Sequence, residues 1–534
     1  MKYIEMMNMS TKLNDLTLEQ KIGQLLVVGF HTKVLNEDFE ELIKKYHFGN
    51  VIVFQRNIEN SLQLGELDNS IQTLMEKHNN IPAFIGIDQE GGMVVRLFNK
   101  ATYFPGNMAV AAGISCVEAY EIGAAIGREL HDVGVNINFA PVLDVNNNPQ
   151  NPVIGVRSYG DIPEKVAQYG KHFFKGLQSE KILSCGKHFP GHGNTNVDSH
   201  LGLSTISSDL LELRKVELVP FVEAINNGID GIMTTHILFS SLEKNNLPAT
   251  LSKTVLTGLL KEELGFKGLV VTDCMEMKAI TSNFGIEDAA IKALNAGIDL
   301  LCISHTKEVQ IRAFNAIKRA VETGIISMEV LDSKVEKILY FKEKYDLYNW
   351  RKLNGKIHDE ELKRHAKLAM AISEKSITLV KDQKGLLPLK SEGLISITPI
   401  SMAISIADDE IEKANLGKVL AYDIGCKYIN YNLKEIDEDG IISKVSNKKT
   451  ILFGSYNLNL NQSQKSLLDR LIATGKDIVL VALRNPYDIS NYKNEISTIL
   501  CTYEYTKLSV NSVIKVLKGE IAPQGRLPVK VENY

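Results

Sequence analysis

Ile182-Leu-Ser-Cys-Gly-Lys-His188 is a short apolar run that ends in two ionisable side chains. The Gly- and Pro-bearing stretch Phe189-Pro-Gly-His-Gly193 follows at once. A run this short and this apolar reads as a strand covered on both faces. Seven other segments share its texture: residues 25–30, 51–54, 83–88, 135–141, 231–236, 269–273 and 300–303. Longer amphipathic stretches lie between most of them, around residues 62–77, 117–133, 164–178 and 210–226. Strands alternating with helices predict a parallel sheet with helices outside it. Eight such units in about 300 residues fit an α/β fold of the (β/α)8 TIM-barrel type. An open, doubly wound sheet is the alternative.

Polar residues collect at the C-terminal ends of these runs: Gln55-Arg56-Asn57, Asp88-Gln89-Glu90, Asp144, Lys187-His188, Thr235-His236 and Asp273. In α/β folds those ends form the site. Separate segments therefore aim Asp, Lys, His and Arg at one crevice.

Past residue 327 the texture changes. Residues 331–344 read as a helix. Tyr345-Asp-Leu-Tyr-Asn-Trp-Arg-Lys-Leu-Asn-Gly355, with the chain's one Trp, reads as a linker, and a helix follows over 360–372. Apolar runs at 377–381, 394–398, 450–453, 478–482 and 499–503 then predict a smaller α/β sandwich. The expected division is a barrel over residues 1–345, a linker with a helix over 346–375, and the sandwich over 376–534. With 534 residues, a prior of about 150 per domain allows three or four domains, and two if one is a barrel.

Composition narrows the partners. The net charge of −4 leaves no strong field to draw nucleic acid or a membrane surface. The six Cys form no C-x-x-C pair, which predicts small buried thiols in a reducing compartment. No apolar run reaches the ~18 residues of a spanning helix, and the start reads as lacking a signal peptide, so a cytoplasmic protein is expected. No cofactor and no metal are expected, and a monomer is favoured.

The densest polar segment is Lys187-His-Phe-Pro-Gly-His-Gly-Asn-Thr-Asn-Val-Asp-Ser-His200. Three readings compete for it. As a metal site, its His188 and His192 would need a helix to share a face, and Pro190 and Gly191 break one. As a structural loop, it would need buried partners for its His and Lys. As acid/base machinery, Asp198 would orient His200 from two residues away and stabilise its imidazolium. That reading requires a nucleophile. No G-x-S-x-G is present, and Asp273, closing Val270-Val-Thr-Asp273, is the remaining strong candidate.

Five motifs then match in order: Ile87-Asp-Gln-Glu-Gly-Gly-Met-Val-Val-Arg96, Phe104-Pro-Gly-Asn-Met-Ala109, Val156-Arg-Ser-Tyr-Gly160, Lys187-His-Phe-Pro-Gly-His-Gly193 with Asp198-Ser-His200, and Val271-Thr-Asp-Cys-Met-Glu-Met277. Together they resemble glycoside hydrolase family 3, in its β-N-acetylglucosaminidase (NagZ-like) branch, over nearly the whole chain. The resemblance implies a retaining glycosidase with the barrel first. It implies Asp273 as nucleophile, His200 as acid/base and Asp198 as the residue orienting it. It implies that Asp88, Arg96, Arg157, Lys187 and His188 hold the sugar. The implied substrates are small saccharides or muropeptides with a non-reducing-end N-acetylglucosamine, met in cell-wall recycling. A phosphorylase on the same scaffold is the alternative.

Two departures stand out. Asn194 replaces an Asp common in the family. Thr272-Asp273-Cys274-Met275 carries a single Asp where many members carry two, and it places Cys274, read as a packing residue, beside the nucleophile. The second domain supplies the acid/base in the family's glucosidase branch. Here the Asp198/His200 pair makes that unnecessary, and a structural or binding role is expected for it.

Overall fold

The computed structural model describes residues 13–195, 202–352, 355–403, 408 and 414–532. Eight parallel strands form the first sheet: β1 (Leu26–Val28), β2 (Asn50–Ile52), β3 (Phe84–Ile87), β4 (Ile137–Asn138), β5 (Leu183–Phe189), β6 (Gly231–Thr234), β7 (Leu269–Thr272) and β8 (Leu301–Ile303). Their order is β7-β6-β5-β4-β3-β2-β1-β8. A bridge between Val271 and Leu300, with Thr272 N–H donating to Leu300 O at 3.0 Å, joins the two ends. The sheet is therefore a barrel rather than the open alternative, and each of the eight apolar runs supplies one strand.

The strands are short, and buried Asn side chains extend their ladders. Asn136 accepts from Ile85 N–H and donates to Ala83 O. Asn138 does the same with Gln89 N–H and O. An amide side chain carries one acceptor and two donors, so it can stand in for a peptide where the ladder runs out. This explains how β4 holds its place with only two ladder residues.

Helices cover the outside. The pair α1 (Ala119–Val133) and α2 (Pro163–Ser179) pack very closely because glycine lies at the crossing. A Cβ on Gly123 would meet Phe173 O at 2.1 Å, and one on Gly176 would meet Tyr120 O at 2.2 Å.

The segment read as a linker is docked. After helix α3 (Met328–Lys344), the Tyr345 hydroxyl and the Lys344 amine both bond to buried Asp230, and Arg351 pairs with Glu76. Helix α4 (Asp359–Ser376) then crosses to the second domain, with His365 Nδ1 2.7 Å from Glu129 of the barrel.

The second domain is a six-stranded sheet of β9 (Thr378–Asp382), β10 (Leu394–Pro399), β11 (Lys427–Tyr431), β12 (Thr450–Ser455), β13 (Asp477–Ala482) and β14 (Thr498–Cys501), in the order β9-β14-β13-β12-β10-β11. Only β9 runs antiparallel to its neighbour. Strand β11 was not legible in sequence. It is an edge strand with Lys427 and Tyr428 exposed and only Tyr431 buried, so it lacks the apolar run that marked the others. One of the domain's two cores continues into the barrel. Met93, Met108, Ala109, Ala112 and Val156 pack with Tyr487, Ile489, Tyr503 and Val529.

Gly123→Ala tests the helix crossing. Alanine is the better helix former by about 1 kcal/mol, but the added methyl overpacks a backbone contact at about 1–3 kcal/mol. Net destabilisation is expected, read as a lower urea midpoint at unchanged slope.

Candidate active site

A cavity of about 550 Å³ opens at the C-terminal mouth of the barrel. Asp88, Arg96, Arg157, Lys187, His188 and Asp273 all line it. Asp198 and His200 lie outside the described residues.

Each side chain arrives by a local device. Asp88 follows β3 directly. The chain then makes a small hairpin, Gln89–Gly91 against Val94–Val95, whose turn residues Gly91 and Gly92 have φ of 98° and 60°. Left-handed backbone of this kind favours glycine. The hairpin returns Arg96 to the cavity, and the Gln89 side chain accepts from Arg96 N–H at 3.0 Å. Arg157 ends a short 3-10 turn, Gly155–Arg157, in the long connection after β4. Lys187 and His188 lie within β5. Neighbouring strand residues ordinarily face opposite ways, but both of these line the cavity. The peptide between them is cis, and the ladder to β6 slips between Gly186 and Phe189.

The floor of the cavity is a buried charge cluster. Lys187 Nζ sits 2.7 Å from Asp88 and 2.6 Å from Glu90. Arg157 grips Glu90 with two hydrogen bonds, Nε to Oε2 at 2.9 Å and Nη2 to Oε1 at 2.8 Å. Arg96 lies 3.7 Å from Asp88. Burial alone would raise the Glu90 carboxyl, but Arg157 and Lys187 outweigh it and hold that carboxyl well below the usual range. Burial would likewise lower Lys187, and Asp88 and Glu90 outweigh it and keep the ammonium charged. Glu90 was missed as a site residue. The signal was present, because Asp88 and Glu90 are two apart on extended chain and such residues share a face.

A second carboxylate orients His188. Asp144, three residues past the 135–141 run, lies 2.7 Å from His188 Nδ1 and accepts from the backbone N–H of His188 and His192 at 3.1 and 2.7 Å. Burial opposes its charge, but His188 and then His192 hold the carboxyl below its ordinary value. Nδ1 is thereby committed to Asp144, which leaves Nε2 of His188 for the cavity. Burial, reinforced by His188, lowers His192 to about 4, so it is neutral near pH 7.

The turn after β5 is anchored on the described side. Gly193 packs on Val145, and a Cβ there would sit 1.6 Å from Val145 O. The Asn151 side chain donates to the carbonyls of His192 and Gly193, each at 2.8 Å. Beyond Gly202, Ser204–Ile206 pairs in parallel with Ile237–Phe239 of the connection after β6.

Asp273 follows β7, and its Oδ1 accepts from Cys274 N–H at 2.7 Å. Burial pushes the Cys274 thiol up to about 11, which fits a packing residue rather than a reactive one. Glu276 caps the loop after β8 by accepting from the N–H groups of His305 and Thr306. Arg56, bonded to Phe30 O and Ser304 O, lies over the Phe54 ring at 4.3 Å on the same rim. The second domain reaches the cavity through Asp408, whose carboxylate is paired bidentately with Arg484. Among the described residues no His, Cys, Asp and Glu cluster could hold a metal ion.

Comparison with known proteins gives the family and the fold. Residues 17–341 match the model of the glycosyl hydrolase family 3 N terminal domain, and residues 437–534 match that of the family 3 C-terminal domain. A β-hexosaminidase A of Pseudoalteromonas piscicida is 31% identical over 97% of this chain and 98% of its own length. A β-N-acetylglucosaminidase/β-glucosidase of Cellulomonas fimi is 28% identical over 72% of this chain and 68% of its own. The solved structure of a glycoside hydrolase family 3 β-N-acetylglucosaminidase from Paenibacillus sp. str. FPU-7 superposes with a TM-score of 0.90. It is 38% identical and covers 97% of this chain and 99% of that one.

Two measurements check the electrostatics. Glu90→Gln leaves two buried cations short of a partner, and breaking such a set costs about 3–5 kcal/mol. Because Glu90 is depressed in the folded state, its stabilisation is fully present above the unfolded value of about 4.3 and is lost as pH falls through the folded value. The wild-type advantage over Glu90→Gln in urea unfolding should be largest at pH 6–7 and shrink steadily below about pH 4. For Cys274, iodoacetamide at pH 7.5 should alkylate slowly, with the rate rising toward the thiol's value of about 11. Mass spectrometry of the peptide reads it.

Proposed function

The chain belongs to glycoside hydrolase family 3, and from that membership we propose that it is a retaining exo-β-N-acetylglucosaminidase. The observation that carries this reading is the convergence of Asp88, Arg96, Arg157, Lys187, His188 and Asp273 on one cavity at the barrel mouth. These residues come from β5 and from the connections after β3, β4 and β7, so no local sequence constraint brings them together.

The chemistry runs in two displacements. The Asp273 carboxylate attacks the anomeric carbon while the acid/base protonates the departing glycosidic oxygen. The C–O bond to the leaving sugar breaks, and a glycosyl ester on Asp273 forms. The same base then takes a proton from water, the water oxygen attacks the anomeric carbon, and the ester bond breaks with the original configuration restored. In this reading His200 is that acid/base and Asp198 orients it, as Asp144 orients His188 on the cavity floor. Asp88 and Lys187 meet the sugar's hydroxyls with charge-assisted hydrogen bonds, which are the strong ones. Arg96, Arg157 and His188 complete the set.

The reading extends to the natural substrate: cell-wall fragments ending in N-acetylglucosamine, cleaved in cytoplasmic recycling. Support comes from the relatives named for hexosaminidase and N-acetylglucosaminidase activity. No described helix is long and apolar enough to cross a membrane.

The test is nitrophenol release from the aryl β-N-acetylglucosaminide, in buffers with and without phosphate. Wild type should be active in both and yield free N-acetylglucosamine. Asp273→Asn should lose at least about 10³-fold in kcat, as loss of a covalent nucleophile does. His200→Ala should lose about 10²–10⁴-fold. Formation of a sugar 1-phosphate would instead establish phosphorolysis, and full activity of Asp273→Asn would sink the assignment. Release of N-acetylglucosamine from a purified muropeptide digest, followed by mass spectrometry, checks the natural substrate.

A further inference from the structure

We infer that Glu504 of the second domain is a positioning residue for the sugar-binding cluster in the barrel, acting through the backbone of Gly106. The inference rests on the glycosidase reading above and adds to it a task for the second domain.

Glu504 lies just after β14 and is 1% exposed. Its own loop holds it firmly. Oε1 accepts from Thr506 Oγ1 at 3.0 Å, and its carbonyl accepts from Ser509 Oγ at 2.7 Å. Oε2 reaches across the domain boundary and accepts from Gly106 N–H at 2.7 Å. Burial pushes this carboxyl up to about 7 against the Gly106 and Thr506 bonds that lower it, and in either protonation state Oε2 accepts the Gly106 N–H and ties that backbone to the second domain.

Gly106 is the point at which two parts of the cavity floor meet. On one side it packs on the turn of the hairpin that carries Glu90 and Arg96. A Cβ on Gly92 would lie 2.6 Å from Gly106 Cα and 3.0 Å from Glu504 Oε2, and Gly92 N–H donates to Phe104 O at 2.9 Å. On the other side, Asn107 donates through its side chain to Arg157 O at 2.6 Å. Glu90 and Arg157 are the two members of the bidentate pair. One carboxylate from the second domain therefore bears on the backbones of both partners. The apolar packing follows the same line, since Met93, Met108 and Val156 each adjoin one of these residues and join the second domain's core.

The experiment compares wild type, Glu504→Ala, Glu504→Gln and Glu504→Asp, assayed on the aryl β-N-acetylglucosaminide well below each variant's melting temperature. Glutamine keeps an acceptor for Gly106, alanine removes it, and aspartate withdraws it by one methylene. A misplacement of about 1 Å can cost ~10²-fold. Glu504→Ala should lose about tenfold or more in kcat/KM with KM raised, while Glu504→Gln stays within about threefold. Asn107→Ala acts on the same segment, so its effect combined with Glu504→Ala should fall short of the product of the two. Wild-type constants in folded Glu504→Ala would overturn the inference, as would Glu504→Gln as impaired as Glu504→Ala. If Glu504→Ala does not fold, Glu504→Asp decides: an intermediate loss is expected, and no loss overturns it. Hydrogen exchange over residues 89–107 gives a readout independent of turnover. It should speed up in Glu504→Ala, and unchanged protection would overturn the inference. An inactive wild type would fail the glycosidase reading alone.

Discussion

The buried cluster of Lys187, Arg157, Asp88 and Glu90 is the constraint on which the rest of the site depends. Charges removed from water cost several kcal/mol each unless they are paired with good geometry. Here each is paired, and the partners come from three different barrel strands or their connections. The cluster can exist only if β3, β4 and β5 are in register and their connections return to one point. The Asn136 and Asn138 amides, the glycines at the hairpin turn and the close α1–α2 crossing are the local devices that hold that register.

The same cluster explains how charged side chains can serve a neutral ligand. Paired charges keep their net field small but still present oriented donors and acceptors. Sugar hydroxyls can join such an array because each donates and accepts. The Asp144–His188 pair repeats the principle one layer away. A carboxylate with no access to the cavity commits Nδ1, so that only Nε2 faces it.

The two domains are not independent. A shared apolar core, the docked linker and the Glu504–Gly106 bond bring the second sheet against the loops that shape the cavity. Asp408 carries the contact to the cavity itself. A barrel whose connections are this long gains from an outside support, because loops have few backbone partners of their own.

The sequence by itself determined the eight barrel strands, the change of texture into a smaller α/β domain, and the polar residues at the strand ends. Apolar runs and their punctuation are local properties, and burial on both faces of a parallel strand writes them directly into the chain. Asp88, Lys187, His188 and Asp273 were legible for that reason, each at or just beyond the end of a run, and Arg96 and Arg157 through their motifs. What tertiary structure decided lies between segments. The spacing of Glu90 from Asp88 is legible in the sequence, but its pairing with Arg157, 67 residues away, is not. The edge strand β11 has no apolar run to announce it. The reach of Asp408 and Glu504 into the barrel depends on how two sheets pack. Such pairings are set by the closure of the barrel and the docking of a second core onto it, and no short window of sequence encodes a distance across space.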